Sequence, residues 1–194
     1  IAILQGRVEE IKIHRDGGLH HFEIFSKDKK FHAKTILYTA GTRVRKLNVP
    51  GEKEYEHRGV SYCSLCDGPL FRNKVVGVVG GSDSAVKEAL LLTEYAKKVY
   101  LIYRGEKIHP ELINLERAEK LIKKGKIEVV NNTNVVEIKG DGKFMTHVVL
   151  DHTYKRKKEF KLAGLFVDIG HIPMSELAKR ISINTNKKGE ILIN

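Results

Sequence analysis

An α/β fold built on a parallel sheet of nucleotide-binding type is predicted by three observations. From Lys74 onward, short apolar runs alternate with helical stripes: Val75 to Val79, then Asp83 to Lys98, then Val99 to Tyr103, then Pro110 to Lys124, then Ile127 to Val130. The first run leads straight into Gly80-Gly81-Ser82-Asp83-Ser84-Ala85 at the start of a helical pattern. On either side of this block, apolar and polar residues alternate between glycine and aspartate turn signals, as in a β-meander. The fold class is therefore α/β: a Rossmann-like nucleotide-binding domain with a parallel sheet and a β-meander, flanked by partial pieces of a second domain.

In chain order, Arg7 to Ile13, Leu19 to Phe25 and Lys30 to Lys34 read as strands, separated by Asp16-Gly17-Gly18 and Ser26-Lys27-Asp28. Thr35 to Gly41 reads as a buried strand ending at a glycine, and Glu52 to Arg58 as a polar linker after the turn Val49-Pro50-Gly51. In the central block, Ala85, Ala89, Leu92 and Ala96 fall on one helical face, and Pro110 suits a first helical turn. Thr133 to Ile138, Phe144 to Leu150 and Lys158 to Leu162 form a second meander. Leu165 to Ile169 is a last apolar strand before Gly170, and Ile181 to Asn194 reads as strand, Lys-Lys-Gly turn and strand. The expected division is residues 1–56, 57–175 and 176–194.

The 194 residues carry 35 basic and 24 acidic side chains, a formal charge of +11, which makes an anionic partner worth weighing. Only Lys155-Arg156-Lys157-Lys158 is dense, and it lies between two strands with only Tyr154 as an aromatic neighbour. No nucleic-acid partner is expected. The apolar runs fall short of the ~18 residues of a membrane span, and no signal peptide is seen, so a cytoplasmic protein is expected. The chain opens on Ile1-Ala2-Ile3-Leu4 without an initiator methionine, which suggests a segment of a longer product.

The two cysteines, Cys63 and Cys66, close too small a loop to stabilise a fold by chain entropy, and are better suited to redox cycling. Four-ligand zinc needs a second pair, which the sequence lacks; His57 or His109 could serve only in an unusual arrangement, and no metal is expected. Adjacent His20 and His21 point to opposite faces of a strand and do not suit a shared metal. Asp67, next to Cys66, is placed either to transfer protons or to begin the turn Gly68-Pro69.

In the glycine turn, Gly80 permits a backbone path closed to other residues. Gly81 and the helix start at Ser82, Asp83, Ser84 and Ala85 present N–H groups to a pyrophosphate. Ser82 stands where G-x-G-x-x-[GA] has its second glycine and narrows that approach. Beyond the second strand, Tyr103-Arg104-Gly105-Glu106-Lys107 offers Arg104, supported by Lys107, for a ribose 2′-phosphate, which favours NADPH over NADH.

Tyr62-Cys63-Ser64-Leu65-Cys66-Asp67-Gly68-Pro69-Leu70-Phe71, then Val78-Val79-Gly80-Gly81-Ser82-Asp83-Ser84-Ala85, then Gly164-Leu165-Phe166-Val167-Asp168-Ile169-Gly170-His171-Ile172-Pro173, resemble the low-molecular-weight thioredoxin reductases. So do Tyr38-Thr39-Ala40-Gly41 and Val49-Pro50-Gly51-Glu52. The resemblance implies an NADPH-dependent flavoprotein in which reducing equivalents pass through FAD to Cys63-Cys66 and on to a thioredoxin-like protein. It places Cys66 on the flavin side, Cys63 as the interchange thiol and Asp67 as the proton-transfer acid. It puts Thr39, Ala40, Gly41 and Gly170 at cofactor contacts, and makes the regions near Glu52 to Arg58 and His171 to Lys179 hinges between domains. A homodimer is the expected full-length assembly.

The sequence departs from the family's pattern where His-Arg-Arg is replaced by Tyr103-Arg104-Gly105, where His109 stands near a further arginine, and at Met174. The family's first FAD-binding glycine turn and its closing Gly-Asp segment are not found in these residues. The flanking pieces then belong to an FAD domain, and the chain by itself is expected to hold FAD poorly and to be inactive. The readings left open are NADH or another reductant, a peroxidase-type partner, and, for this chain alone, an idle nucleotide-binding module.

Overall fold

The computed structural model describes residues 2–16 and 19–193. Two compact units are present: Ile1–Arg43 with His171–Asn194, and Val44–Gly170. In the first, β1 (Glu10–Asp16), β2 (Leu19–Ser26) and β3 (Lys29–Ala33) form an antiparallel meander. Its register places Ile11 beside Ile24, Ile13 beside Phe22, and Ile24 beside Phe31, so the alternating apolar residues share a face. The turn expected at Asp16-Gly17-Gly18 falls at Gly17 and Gly18 outside the described residues, as does the side chain of His20.

The stretch Thr35 to Gly41 is not the buried strand its sequence suggests. It lies outside any ladder, and Leu37 is 88% exposed. A strand holds its shape through partners on its edges, and among the described residues this stretch is held by Met174, whose N–H donates to the Gly41 carbonyl and whose carbonyl accepts from the Tyr38 hydroxyl. Strand structure resumes only at β4 (Thr42–Val44).

The second unit is organised by five parallel strands. β5 (Val60–Ser61) leads into a short helix, α1 (Ser64–Asp67), and a 3-10 turn, Gly68–Phe71. Then follow β6 (Val75–Val79), α2 (Asp83–Leu92), β7 (Lys98–Ile102), α3 (Leu112–Lys123) and β8 (Ile127–Val130). An antiparallel excursion, β9 (Val135–Gly140), β10 (Met145–Tyr154) and β11 (Lys157–Lys161), precedes β12 (Gly164–Val167). The sheet order is β5-β12-β6-β7-β8, with every neighbouring pair parallel. The last strand to form in sequence thus inserts beside the first nucleotide strand, and strand order reverses at β6.

Both faces of this sheet are covered, which is why its strands read as continuous apolar runs. Val76, Val78, Val99, Leu101 and Phe166 pack with Ala85, Val86, Ala89 and Leu92 of α2 and Ala118 of α3. Val79, Ile102, Val130, Leu165 and Val167 pack on the other side with Ile138, Val148 and Leu150 of the meander. α2 is shorter than its apolar stripe predicts: Thr93 closes it through its hydroxyl on the Leu90 carbonyl, 2.7 Å. The chain must turn there to bring Lys98 into register with Val75.

Glu52 to Arg58, expected as a polar linker, is instead a packed turn, with Glu52 only 3% exposed and Tyr55 5%. The Glu52 carboxylate accepts from the backbone N–H groups of Leu47 (2.9 Å) and Asn48 (2.6 Å) and from the Tyr62 hydroxyl (2.9 Å). Glu52→Ala would leave the N–H groups of half-buried Leu47 and exposed Asn48 without that acceptor, and water can reach the second. A loss of about 1–2 kcal/mol is expected in urea unfolding, with Glu52→Gln milder because it keeps one acceptor oxygen.

The returning segment holds β13 (His171–Pro173), paired with β4, and α4 (Glu176–Arg180), a helix within the stretch read as a hinge. Among the described residues, the hairpin expected over Ile181 to Asn194 is reduced to a single antiparallel bridge, Thr185 with Ile191, around a turn where Asn186 accepts from Lys188 and Glu190.

Candidate active site

The carboxyl ends of β12, β6 and β7 meet where the strand order reverses, the position at which open α/β sheets bind ligands. Val79 of β6 is level with Val167 of β12 and with Ile102 of β7. The glycine turn, Asp168 to Gly170 and Tyr103 to Lys107 therefore leave the sheet on one edge. Gly80 has φ +149°, and a Cβ built on it would lie 2.1 Å from the Asp168 carbonyl oxygen and 2.6 Å from the Ala85 Cβ. Only glycine permits this approach of two neighbouring strand ends.

The rest of the turn is less open than its sequence suggests. A Cβ on Gly81 would meet the Tyr103 ring at 2.4 Å, and one on Gly105 would meet the same ring at 2.5 Å, so the ring lies across both glycines. His109 donates its N–H to the Gly81 carbonyl, 2.8 Å, and its ring nitrogen is 3.3 Å from the Tyr103 hydroxyl. Ser82 precedes α2 without capping it; its hydroxyl is 3.1 Å from that of Ser84.

Asp83 faces the neighbouring helix. Its carboxylate accepts from Glu111 N–H (2.9 Å) and the Asn114 amide (2.7 Å), and pairs with Lys87 at 2.6 Å, partners that bring its pKa down to about 2. It clamps the start of α2 to the start of α3. Ala85 is fully buried under the turn. Arg104 and Lys107 are exposed on the loop after β7, and Gly170, φ +93°, is half-buried beyond β12. Thr39, Ala40 and Gly41 are exposed in the other unit, with Gly41 at φ +68°.

The cysteine pair lies in the same unit as the glycine turn. Cys63 and Cys66 form a disulfide, with Cα atoms 5.3 Å apart. The local reason is α1: Cys63 is its extended N-cap, and the following turn brings Cys66 back over it. The Cys66 N–H donates to the Cys63 sulfur, 3.1 Å. Such a contact stabilises negative charge on Cys63 once the disulfide opens. Cys63 is half-buried, whereas Cys66 is exposed together with Leu65, Pro69 and Leu70.

Asp67 ends α1 half-buried, and its carboxylate accepts from the Ser61 hydroxyl at 2.6 Å. Ser61, 4% exposed on β5, also accepts from the Cys63 N–H, 3.1 Å. One buried hydroxyl thereby fixes the acid relative to the first cysteine. Sequence reasoning missed Ser61; its one local signal is its place two residues before Cys63, at the end of β5. It also missed Glu52, which orients Tyr62 beside the pair, and Glu88, whose carboxylate contacts α1.

A shallow cavity of about 700 Å³ lined by Val75, Tyr100, Lys158 and Phe160 lies elsewhere, since Val75 opens β6 at the amino end of the sheet. The chemistry-bearing residues are at the opposite edge.

A doubly covered parallel sheet with a glycine turn at its switch point, and a disulfide on the strand-helix connection before it, defines a Rossmann-like nucleotide-binding protein with a dithiol-disulfide centre. The chain belongs to the pyridine nucleotide-disulphide oxidoreductase family, whose model matches residues 2–194. It is 38% identical over 172 residues to the thioredoxin reductase of Yarrowia lipolytica, covering 87% of this chain and 53% of that protein. It is 38% identical over 167 residues to that of Bacillus subtilis, covering 86% and 52%. Among solved structures, Lactococcus lactis thioredoxin reductase superposes with a TM-score of 0.82 at 37% identity, covering 97% of this chain and 60% of that one. The T. acidophilum enzyme gives 0.79 at 34%, with the same coverage. The chain spans about half the length of the curated relatives it matches.

Proposed function

We propose that the chain is the nucleotide-binding and disulfide-bearing part of a thioredoxin-disulfide reductase. The observation that carries this reading is the Cys63–Cys66 disulfide, with its Ser61–Asp67 acid, on the connection after β5, an edge strand of the sheet that carries the glycine turn. The similarity to thioredoxin reductases along most of the chain supports it.

In this reading the unit Val44–Gly170, which takes in most of residues 57–175, supplies the NADPH site and the redox pair, and the unit of residues 1–43 and 171–194 belongs to an FAD domain. Gly80, Gly81 and the first N–H groups of α2 take the pyrophosphate, while Arg104 and Lys107 are the cations available to a 2′-phosphate. These residues fit a nicotinamide nucleotide if the Tyr103 ring shares Gly81 with it. Bound FAD would relay the electron pair from NADPH to the disulfide.

The chain's own chemistry follows from the unequal cysteines. Reduction breaks the S–S bond and leaves Cys63 as the thiolate favoured by the Cys66 N–H. Cys63 attacks the disulfide of a thioredoxin-like protein, forming a mixed disulfide and expelling one partner thiolate, whose proton this reading assigns to Asp67. Cys66 then displaces the second partner sulfur and restores the Cys63–Cys66 bond. The full-length protein is assigned to the cytoplasm as a homodimer; among the described residues, no helix is long and apolar enough to cross a membrane.

The Tyr103 ring over Gly81 and Gly105 favours a second reading of the reductant, NADH or neither nicotinamide nucleotide. Titrating the chain with each nucleotide by fluorescence separates these. The leading reading expects NADPH to bind better than NADH, and Arg104→Ala to weaken NADPH about tenfold or more with little change for NADH, the scale of one lost charge-assisted contact. Equal losses would assign the phosphate elsewhere.

A further inference from the structure

We infer that Glu88 is a positioning residue for the cysteine pair, holding α1 against α2 and taking up a proton when the Cys63–Cys66 disulfide is reduced. This deepens the reductase reading and rests on it only in requiring that the pair cycle.

The geometry is a part-buried contact between the two halves of the site. Glu88 lies on the same helix as the glycine turn. One carboxylate oxygen faces the N–H of Ser64, the residue after Cys63, at 3.5 Å. Ser64 is 4% exposed, so water does not readily replace Glu88 there. The other oxygen, Oε2, is buried without a hydrogen-bond partner. An ionised carboxylate in that position is costly, whereas a protonated one is tolerated.

Among the described residues, no cation offsets the charge. On α2, Lys87 is paired with Asp83. From α3, Glu111 N–H and Asn114 also go to Asp83. β6 and β7 present Val76, Val78, Val99 and Leu101 to this helix. From α1 comes Ser64, and from the end of β12 comes Asp168, a like charge. Burial first and Asp168 second push the Glu88 carboxyl above its ordinary range, while Ser64 acts in the opposite direction.

Reduction consumes two electrons and, with Cys63 left as thiolate, one proton on Cys66. The new negative charge beside Ser64 raises the proton affinity of Glu88, which then takes up a second proton. By linkage, reduction is favoured at pH values below the window in which Glu88 releases its proton, and that advantage is lost as pH rises through it. The window lies above the ordinary glutamate range.

The test is the equilibrium constant of the pair in this chain against dithiothreitol, read by thiol alkylation and mass spectrometry across pH, for wild type, Glu88→Gln and Asp168→Asn. The ratio of wild-type to Glu88→Gln constants should fall by up to tenfold per pH unit through the window, about 30 mV for a two-electron couple, and be flat on either side. Asp168→Asn should move the window to lower pH, and it provides the test if Glu88→Gln does not fold. A ratio constant with pH means that Glu88 only packs, and overturns the inference. An unmoved window in Asp168→Asn overturns the part given to Asp168. A pair that dithiothreitol cannot reduce would defeat the reductase reading itself, whereas reduction with parallel pH curves defeats only this inference.

Discussion

Gly80→Ala is expected to destabilise the protein by about 3–5 kcal/mol and to abolish nucleotide binding by the same displacement. The added Cβ would lie 2.1 Å from the backbone oxygen of Asp168 and 2.6 Å from the Ala85 Cβ, distances that no rotamer relieves. Relief requires β6 and β12 to separate at their carboxyl ends, in a sheet whose side chains Val76, Val78, Leu165 and Phe166 are essentially inaccessible. The φ of +149° adds strain for any L side chain. Gly125 is the control: its φ is +72°, but a Cβ there meets nothing within 4 Å. Gly125→Ala should cost only about 1–2 kcal/mol, the left-handed backbone term alone. Urea unfolding of the two variants checks this, and a Gly80→Ala protein within about 1 kcal/mol of wild type would contradict it.

Cys66→Ser and Cys63→Ser should separate the roles of the two sulfurs completely. With Cys66 absent, Cys63 attacks a thioredoxin disulfide and the mixed disulfide accumulates, because no thiol remains to resolve it. With Cys63 absent, Cys66 lacks the N–H contact that stabilises the Cys63 thiolate, and trapping should fall at least tenfold. In the FAD-loaded protein, Cys66→Ser should lose all disulfide-reductase turnover and still allow the flavin to be reduced by nucleotide. Exposure alone would favour Cys66 as the attacking thiol; the hydrogen bond favours Cys63, because reactivity follows the thiolate. Mass spectrometry of the trapped complex decides between them. A Cys63→Ser protein that traps as well as Cys66→Ser would reverse the assignment.

The parts of this fold legible in the sequence are those set by local pattern. Val75 to Val79, Ile127 to Val130 and the glycine turn could be read because a buried parallel strand is apolar throughout and a strand-to-helix turn needs glycine. Thr35 to Gly41 shows the limit, since it has strand composition but lacks the pairing that would make it a strand. Glu52 looked like linker polarity because its partners are backbone N–H groups and a tyrosine hydroxyl, which leave no periodic trace. Asp83 is legible as a residue of the glycine turn, but its attachment to Glu111 and Asn114 depends on how α3 packs. The same holds for the Tyr103 ring over Gly81. The cysteine spacing announced redox chemistry, whereas the Ser61–Asp67 contact and the Glu88 carboxylate beneath Ser64 come from tertiary structure.

The central claim is that Cys63 and Cys66 form a cycling pair that reduces a thioredoxin-like protein. The chain reduced with dithiothreitol, freed of reductant and mixed with oxidised thioredoxin tests it most directly, with thiols counted on each protein by alkylation and mass spectrometry. The account predicts that the pair on the chain reoxidises to the Cys63–Cys66 disulfide as thioredoxin gains two thiols. A chain that keeps both thiols while thioredoxin stays oxidised, under conditions where a small disulfide does reoxidise the chain, would contradict it.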